Sequence, residues 1–302
     1  MNRLPPRVSV MIAAYQSQQT IAGTLAALRR QTFKDFETIV VDSSPHEKVA
    51  AIVRRDFQEV VFEHSPQRLL PHAARNRGAA LAQGALFVFS DPDVYPVPEW
   101  LELLCQRHDK EKGPVVGSII CHGRRWIDIG AHFVKFDQWL PVRGRTSTDL
   151  APTANFLCPK EAYEQAGGLP ADIMLGDAVF SWRLMERGYR LVFCPEAVVE
   201  HHHLGTLRDN LRERWRRGYE YAGLRAEMKW RWRGRLRMAL TLFILPLRLL
   251  KQTARSGENA WRCGSFFDFL WVLPLVLAGH GSWLLGESRY QFQRLFRFRP
   301  LK

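Results

Sequence analysis

The sequence predicts an α/β fold: a Rossmann-like, mostly parallel sheet flanked by helices, followed by an α-helical amphipathic C-terminal region. Three observations carry this. Val8–Ala13 and Phe36–Val41 are β-branched apolar runs separated by Thr20–Arg30, where Ile21, Leu25 and Leu28 recur at helical spacing, a βαβ pattern. A third apolar run, Phe87–Phe89, leads into Ser90-Asp91-Pro92-Asp93. The positive charge is concentrated after Gly205, where the alternation of strands and helices gives way to long helical patterns.

In chain order, Thr20 is placed to cap the first helix and Asp42 closes the second strand. Lys48–Asp56 predicts a helix, Val60–Phe62 a strand and Ala73–Gln83 a helix of small residues. Pro98–His108 predicts a helix and Val115–Cys121 a strand, while 123–153 is a stretch of aromatics and glycines compatible with a loop or a hairpin. Lys160–Ala166 predicts a short helix stopped by Gly167-Gly168, and Asp177–Arg187 an amphipathic helix stopped by Gly188. Tyr189–Pro195 and Ala197–His203 have strand character. The expected division is a catalytic domain over 1–204 and a helical region over 205–302.

At 302 residues and 46% hydrophobic content the chain has enough apolar surface for a large core, which excludes a disordered protein. Its five cysteines contain no Cys-x-x-Cys pair, so neither a disulfide framework nor a zinc ribbon is expected, and a reducing compartment fits. The short polar segment Met1–Pro6 has no leader pattern. A net charge of +13 calls for an acidic partner: nucleic acid, anionic lipid or a phosphorylated substrate. Eleven Lys/Arg against four acids between Gly205 and Arg237 place over half of the excess in one segment.

In an extended chain Asp91 and Asp93 would project to the same side, and two adjacent carboxylates are relieved of their repulsion by a hard cation such as Mg²⁺ or Mn²⁺. Asp-Pro-Asp is also turn chemistry, so turn and metal site both stand on these residues alone. His201-His202-His203 end the last strand pattern, with His201 and His203 on one face.

Taken together, the ordered set Val8-Ser9-Val10-x-Ile12 with Tyr15, Asp42 at a strand end, Ala74-Arg75-Asn76-Arg77-Gly78, Asp91-x-Asp93, Gly167-Gly168, Asp177 opening a Ser-Trp-Arg-Leu helix and a His-rich strand end resembles family 2 glycosyltransferases of the GT-A fold. The resemblance covers roughly 7–204. It implies a nucleotide-sugar donor, a divalent metal (Mg²⁺ or Mn²⁺) and inversion at the anomeric carbon. It further implies that Ala14 and Tyr15 border the nucleotide, Asp42 meets the base, Arg75 faces the donor and Asp91 holds ribose or metal. Asp93 would hold the metal, with His201 favoured over His203 as a further ligand. Asp177 would be the general base, and a helix N-cap is its other reading.

The chain departs from the pattern it resembles at three places. Ala13-Ala14-Tyr15-Gln16 stands for Pro-x-Tyr-Asn, Asp42-Ser43-Ser44-Pro45 for the paired acid with Gly-Ser, and Gly176-Asp177 for Glu-Asp. Leu211 also replaces the Gln of the Gln-x-x-Arg-Trp found in processive synthases, which disfavours polymerisation.

Leu207, Leu211, Trp215 and Ala222 recur near multiples of four among arginines, an interfacial-helix composition. Met238–Leu250 and Phe266–Leu285 are apolar but interrupted by Arg248 and by Asp268 and His280, which favours helices lying in one leaflet over true spans. The alternative is an ordinary helical hairpin. The expected partners are thus a nucleotide-sugar donor, a lipid-linked or otherwise membrane-associated acceptor and an anionic surface at the cytoplasmic face of the inner membrane, peripheral or monotopic. Two other readings are a polyprenyl-phosphate glycosyltransferase and a decayed site on a membrane-surface or nucleic-acid-binding module, for which Trp215, Tyr219, Trp230 and Trp232 would supply stacking. Decay is disfavoured because Asp91, Asp93 and Asp177 are all retained, and nucleic acid is not the expected partner. A nucleotidyltransferase is disfavoured by the lack of a Gly-rich loop with Lys after the first strand.

Overall fold

The computed structural model describes residues 4–229 and 244–296. Residues 1–3 of the N-terminal segment, Trp230, Trp232, the arginine run 231–237 and the start of the apolar stretch at Met238 lie outside the described residues. The chain forms two units: the first runs to His122 and resumes over Trp139–His202, and the second combines Gly123–Gln138 with the chain from His203 onward.

The elements follow in order as β1 (Val8–Ala14), α1 (Ile21–Arg29), β2 (Phe36–Asp42), α2 (Lys48–Asp56), β3 (Val61–His64), α3 (Pro71–Leu81), β4 (Leu86–Ser90), β5 (Val94–Pro96), α4 (Trp100–Glu111) and β6 (Val115–Cys121). Then come α5 (Trp126–Phe136), β7 (Asn155–Pro159), α6 (Lys160–Gln165), α7 (Gly176–Glu186), β8 (Val192–His201), α8 (Leu207–Lys229), α9 (Leu245–Arg262) and α10 (Phe266–Phe296).

In the first unit the strands form one mixed sheet in the order β3-β2-β1-β4-β7-β6-β8-β5. The β3-β2-β1-β4 half is parallel, while β7 runs antiparallel to both of its neighbours and β5 antiparallel to β8. Parallel strands buried on both faces read as continuous apolar runs, and Val8, Val10, Met11, Ile12, Phe87, Val88 and Phe89 are each at most 1% exposed. Each large side chain so buried contributes about 1.5–3 kcal/mol by transfer from water. The register sets Ala14 beside Asp42 and Asp42 beside His64, with Ile12 beside Ser90, so the residues following β1, β2 and β4 emerge at one edge. In open α/β sheets that carboxyl edge is where ligands bind.

Several expectations change. Thr20 makes no capping bond; its hydroxyl donates to the Ser17 carbonyl instead. The 123–153 stretch contains α5 and a 3-10 turn over Asp137–Trp139, and β7 follows it at Asn155. The two strand patterns after Tyr189 are one strand, β8, whose register slips against β6 between Gly117 and Ser118. Asn155 pins that bulge, donating to the carbonyls of Ser118 (2.8 Å) and Ala197 (2.9 Å) while accepting from the Trp100 indole (2.8 Å).

In the second unit, α8 and α10 pack backbone to backbone. A Cβ on Gly218 would strike the Trp283 carbonyl and one on Gly286 the Trp215 carbonyl, so both positions require glycine. The fully buried Asp137 carboxylate accepts from Arg255 Nε (3.1 Å) and Ser256 Oγ (2.9 Å), and Ser256 Oγ lies 3.1 Å from His280 Nε2. Arg248 pairs with buried Glu287 at 2.6 Å. The buried Asp137 and Glu287 carboxylates and the Ser256 hydroxyl are thus hydrogen-bonded, as burial demands. Phe266–Arg294 is long and apolar enough to cross a membrane, and 44% of its most apolar window is buried within the protein.

Candidate active site

Asp91 and Asp93 do not continue an extended strand. They flank Pro92 in a turn, in which the Val94 amide donates to the Asp91 carbonyl (3.3 Å) and the Thr24 hydroxyl to the Pro92 carbonyl (2.8 Å). The turn delivers the chain to β5, where Val94 is the register partner of His201. That pairing draws the last residue of β8 to the two carboxylates. The ligand atoms of Asp91, Asp93 and His201 lie within 4.8 Å of one another, and His201 Nε2 is 3.9 Å from Asp93 Oδ1. Two carboxylates and an imidazole form a donor set suited to Mn²⁺, and suited to Mg²⁺ where phosphate oxygens complete the shell. The residues present therefore fit a divalent cation.

The neighbouring histidines go elsewhere. His202 Nδ1 lies 3.1 Å from the Tyr95 hydroxyl, and His203, in the second unit, has its Nε2 3.3 Å from His132 Nδ1. Arg75, 3% exposed, donates from Nη2 to Asp91 Oδ1, while its Nε has no hydrogen-bond partner among the described residues.

At the β1–β2 end of the edge, Asp42 is fully buried. Its Oδ1 accepts from the Ser44 amide (3.2 Å) and the Ser44 hydroxyl (2.6 Å), and Ser44 Oγ in turn accepts from the Gln16 amide (2.7 Å). Its Oδ2 lies 3.3 Å from His64 Nδ1. Ser44 thereby stands where the resembled pattern has Gly-Ser, and it ties the loop after β2 to the loop after β1. Tyr15 is 36% exposed, and the Arg68 guanidinium sits over its ring at 4.5 Å from the centroid.

Asp177 lies in the first turn of α7, behind Leu175 at the N-cap, and its Oδ1 accepts from the Ala178 amide at 2.9 Å. The N-cap reading of Asp177 is therefore corrected by two positions: the cap residue is Leu175, which offers no side-chain acceptor. Beside it, a Cβ on Gly176 would fall 2.5 Å from His72 Cδ2 and 2.8 Å from the Pro170 carbonyl. Asn76, which the sequence reading passes over, holds the segment leading to α7. Its Oδ1 accepts from the Tyr163 hydroxyl (2.6 Å) and the Leu169 amide (3.2 Å), and its Nδ2 donates to the Leu169 carbonyl (2.7 Å). Its position between Arg75 and Arg77 in the Ala-Arg-Asn-Arg-Gly run is the signal that could have found it.

Residues 9–159, half of the chain, match the family profile described as Glycosyl transferase family 2. The chain belongs to this family. As a family 2 glycosyltransferase it is a transferase of sugars, and its mixed sheet is GT-A-like. It is 26% identical over 207 residues to the Haloferax volcanii glycosyltransferase AglE, covering 65% of this chain and 67% of that one. It is 31% identical over 204 residues to the pre-mycofactocin glycosyltransferase of Mycobacterium tuberculosis (63% and 43%), and 26% identical over 261 residues to the probable glycosyltransferase YdaM of Bacillus subtilis (79% and 61%). It thus spans 43–67% of the length of these three relatives. The crystal structure of S. aureus TarS shares its fold with a TM-score of 0.52 at 14% identity, over 91% of this chain and 55% of that chain.

Proposed function

We propose that this family 2 glycosyltransferase is an inverting, metal-dependent enzyme that moves a sugar from a UDP-sugar to a membrane-associated acceptor such as a lipid-linked glycan. The observation that carries the reading is the convergence of Asp91, Asp93 and His201 at the carboxyl edge of the sheet. Asp91, Asp93 and His201 would hold a divalent cation, which would supply Lewis-acid stabilisation of the charge developing on the leaving diphosphate. Arg75, anchored on Asp91, adds a buried guanidinium beside the phosphates. Ala14, Tyr15 and Asp42 line the nucleotide end. Asp177 accepts the proton of the attacking acceptor hydroxyl, and attack opposite the leaving group inverts the anomeric centre.

The membrane reading is supported by the outer faces of α9 and α10, where Leu247, Leu250, Trp261, Phe267 and Trp271 are 54–83% exposed. Large exposed aromatic and aliphatic side chains beside a basic segment match a surface that lies in a lipid interface. We place it as a peripheral or monotopic protein at the cytoplasmic face, with 1–204 as the catalytic part and 205–302 as the membrane-associating part.

Titration of UDP with and without Mn²⁺ tests the chemistry: binding is expected to require the cation, and metal-independent binding would overturn the reading. Flotation with anionic liposomes tests the tail. Trp261→Ser together with Phe267→Ser is expected to leave the protein in the dense fraction, and undiminished flotation would reject the assignment.

A further inference from the structure

We propose that the helical second unit holds a binding site for a phosphate group, built around the guanidinium of Arg214 with Arg217 and Arg255 beside it. The inference rests on residues of that unit alone and adds a ligand that the sugar-transfer reading does not assign. Four cations, Lys135, Arg214, Arg217 and Arg255, share this interior with two carboxylates, Asp137 and Glu213, an excess of two positive charges. Both carboxylates are already engaged. Glu213 pairs with Lys135 (2.5 Å) and Arg217 (3.0 Å), and buried Asp137 with Arg255 (3.1 Å). Arg214 has no ion-pair partner among the described residues, and its buried Nε has no hydrogen-bond partner there. The segments outside them, 1–3, 230–243 and 297–302, contain no Asp or Glu, so the chain has no further acidic side chain to offer.

The guanidinium is nevertheless held in place, over the Trp283 indole at 4.3 Å from the ring centroid. That indole is itself fixed, since its N–H donates to Glu287 at 2.6 Å. A cation held against a ring face keeps N–H donors for another acceptor, and a guanidinium fork matches two phosphate oxygens. Burial and the Arg217 and Arg255 charges bring Arg214 down to about 10, the direction expected of a cation short of counter-charge. His280, pushed down to about 3 by burial and by Arg214 and Arg255, stays neutral and leaves the excess at two. A phosphate monoester, with a charge of about −1.5 to −2 at neutral pH, would cancel it. Entry is open from the side of Arg217 and Arg255, whose side chains are 30% and 44% exposed. The same unit exposes Trp261 and Phe267, so a phosphate carried by a membrane lipid is the expected source, with soluble phosphate as the other.

Thermal unfolding and titration calorimetry of the full chain in phosphate-free buffer test this. The probes are inorganic phosphate and phosphatidylcholine vesicles carrying phosphatidic acid, with phosphatidylglycerol vesicles of equal surface charge as the control. The parent is expected to unfold at a higher temperature with phosphatidic acid than with the control. Arg214→Met removes the unpaired charge and should unfold at or above the parent's temperature without the probe, yet below it with the probe, a reversal that a purely structural arginine does not give. Arg214→Gln should weaken probe binding about tenfold or more. Should neither variant fold, Arg217→Gln, which leaves Glu213 paired with Lys135, should weaken binding about threefold or more.

A response to phosphatidic acid alone supports the site and assigns its phosphate to a lipid, and an equal response to inorganic phosphate supports it and assigns a soluble phosphate. No response to either probe beyond that to phosphatidylglycerol, or a response that survives Arg214→Gln, would overturn the inference. Loss of Mn²⁺-dependent UDP binding in Arg214→Gln would also overturn it, by placing the arginine on the donor, and would leave the sugar-transfer reading intact.

Discussion

The imidazole of His72 occupies the space that a side chain at Gly176 would need: a Cβ there would sit 2.5 Å from His72 Cδ2. His72 is 3% exposed, so it has no open route of retreat. The missing acid before Asp177 is therefore matched by a bulky partner on α3, and the two positions form one packing solution.

Restoring an acid at this position should fail. Gly176→Glu is expected to lower stability by about 1–3 kcal/mol through overpacking, more if the carboxylate is left without a partner. Thermal unfolding of Gly176→Glu, His72→Ala and the double variant checks this. The double variant should recover part of the loss, and simple additivity would show that the two sites do not share the space.

Asp91 and Asp93 should separate by stability. Asp93→Asn is expected to lower Mn²⁺-dependent UDP binding at least about tenfold with little change in unfolding midpoint. Asp91→Ala also strips buried Arg75 of its anion, which costs about 3–5 kcal/mol for a broken buried pair. Calorimetric unfolding of the two variants side by side is the measurement, and equal midpoints would contradict the burial argument.

For Asp177→Asn the expected outcome is a fall in kcat of about 10²–10⁴, the range of a lost general base, with nucleotide affinity retained. A variant that turns over at the original rate would take Asp177 out of the proton-accepting role.

Stability at low pH should carry the mark of Glu213. Partial burial raises its carboxyl, but Lys135, Arg217 and Arg214 outweigh that and bring it down to about 2 from an ordinary 4.5. A carboxyl lowered on folding stabilises above its unfolded value, so the contribution is complete above 4.5 and is lost as pH falls toward about 2. Glu213→Gln is expected to be less stable than the parent at neutral pH and to converge with it through that window. Denaturant melts at several pH values check it, and a constant difference down to pH 2 would contradict the assignment.

The parallel half of the sheet was legible because its strands are buried on both faces and so read as uninterrupted apolar runs: β2 ends at Asp42 and α2 spans Lys48–Asp56, as periodicity predicts. Gly167, Gly168 and Gly188 take left-handed φ values of +76°, +70° and +87°, which justifies reading them as helix stops. What escaped depends on partners remote in sequence. β7 is a short run whose identity comes from pairing with β4 and β6, and α5 carries Gly130 inside its aromatic pattern, which hid Ile129, Phe133 and Phe136 at helical spacing. At the site, Asp91, Asp93 and His201 were visible as types; of the two readings open for Asp-Pro-Asp the chain makes the turn, and the turn still brings both carboxylates to His201. His64 offered no signal of its own, since its partner lies one parallel strand away and only register reveals it.

The pairing of Val94 with His201 has a consequence for how the protein comes into being. The carboxylate pair is made early in synthesis, yet its imidazole neighbour is more than a hundred residues downstream and arrives only when the final strand inserts between β6 and β5. A nascent chain released short of that strand would carry the acids without their third companion. On the proposed metal reading, cation uptake would report completion of the sheet, and a captured cation would hold the last strand in place against fraying.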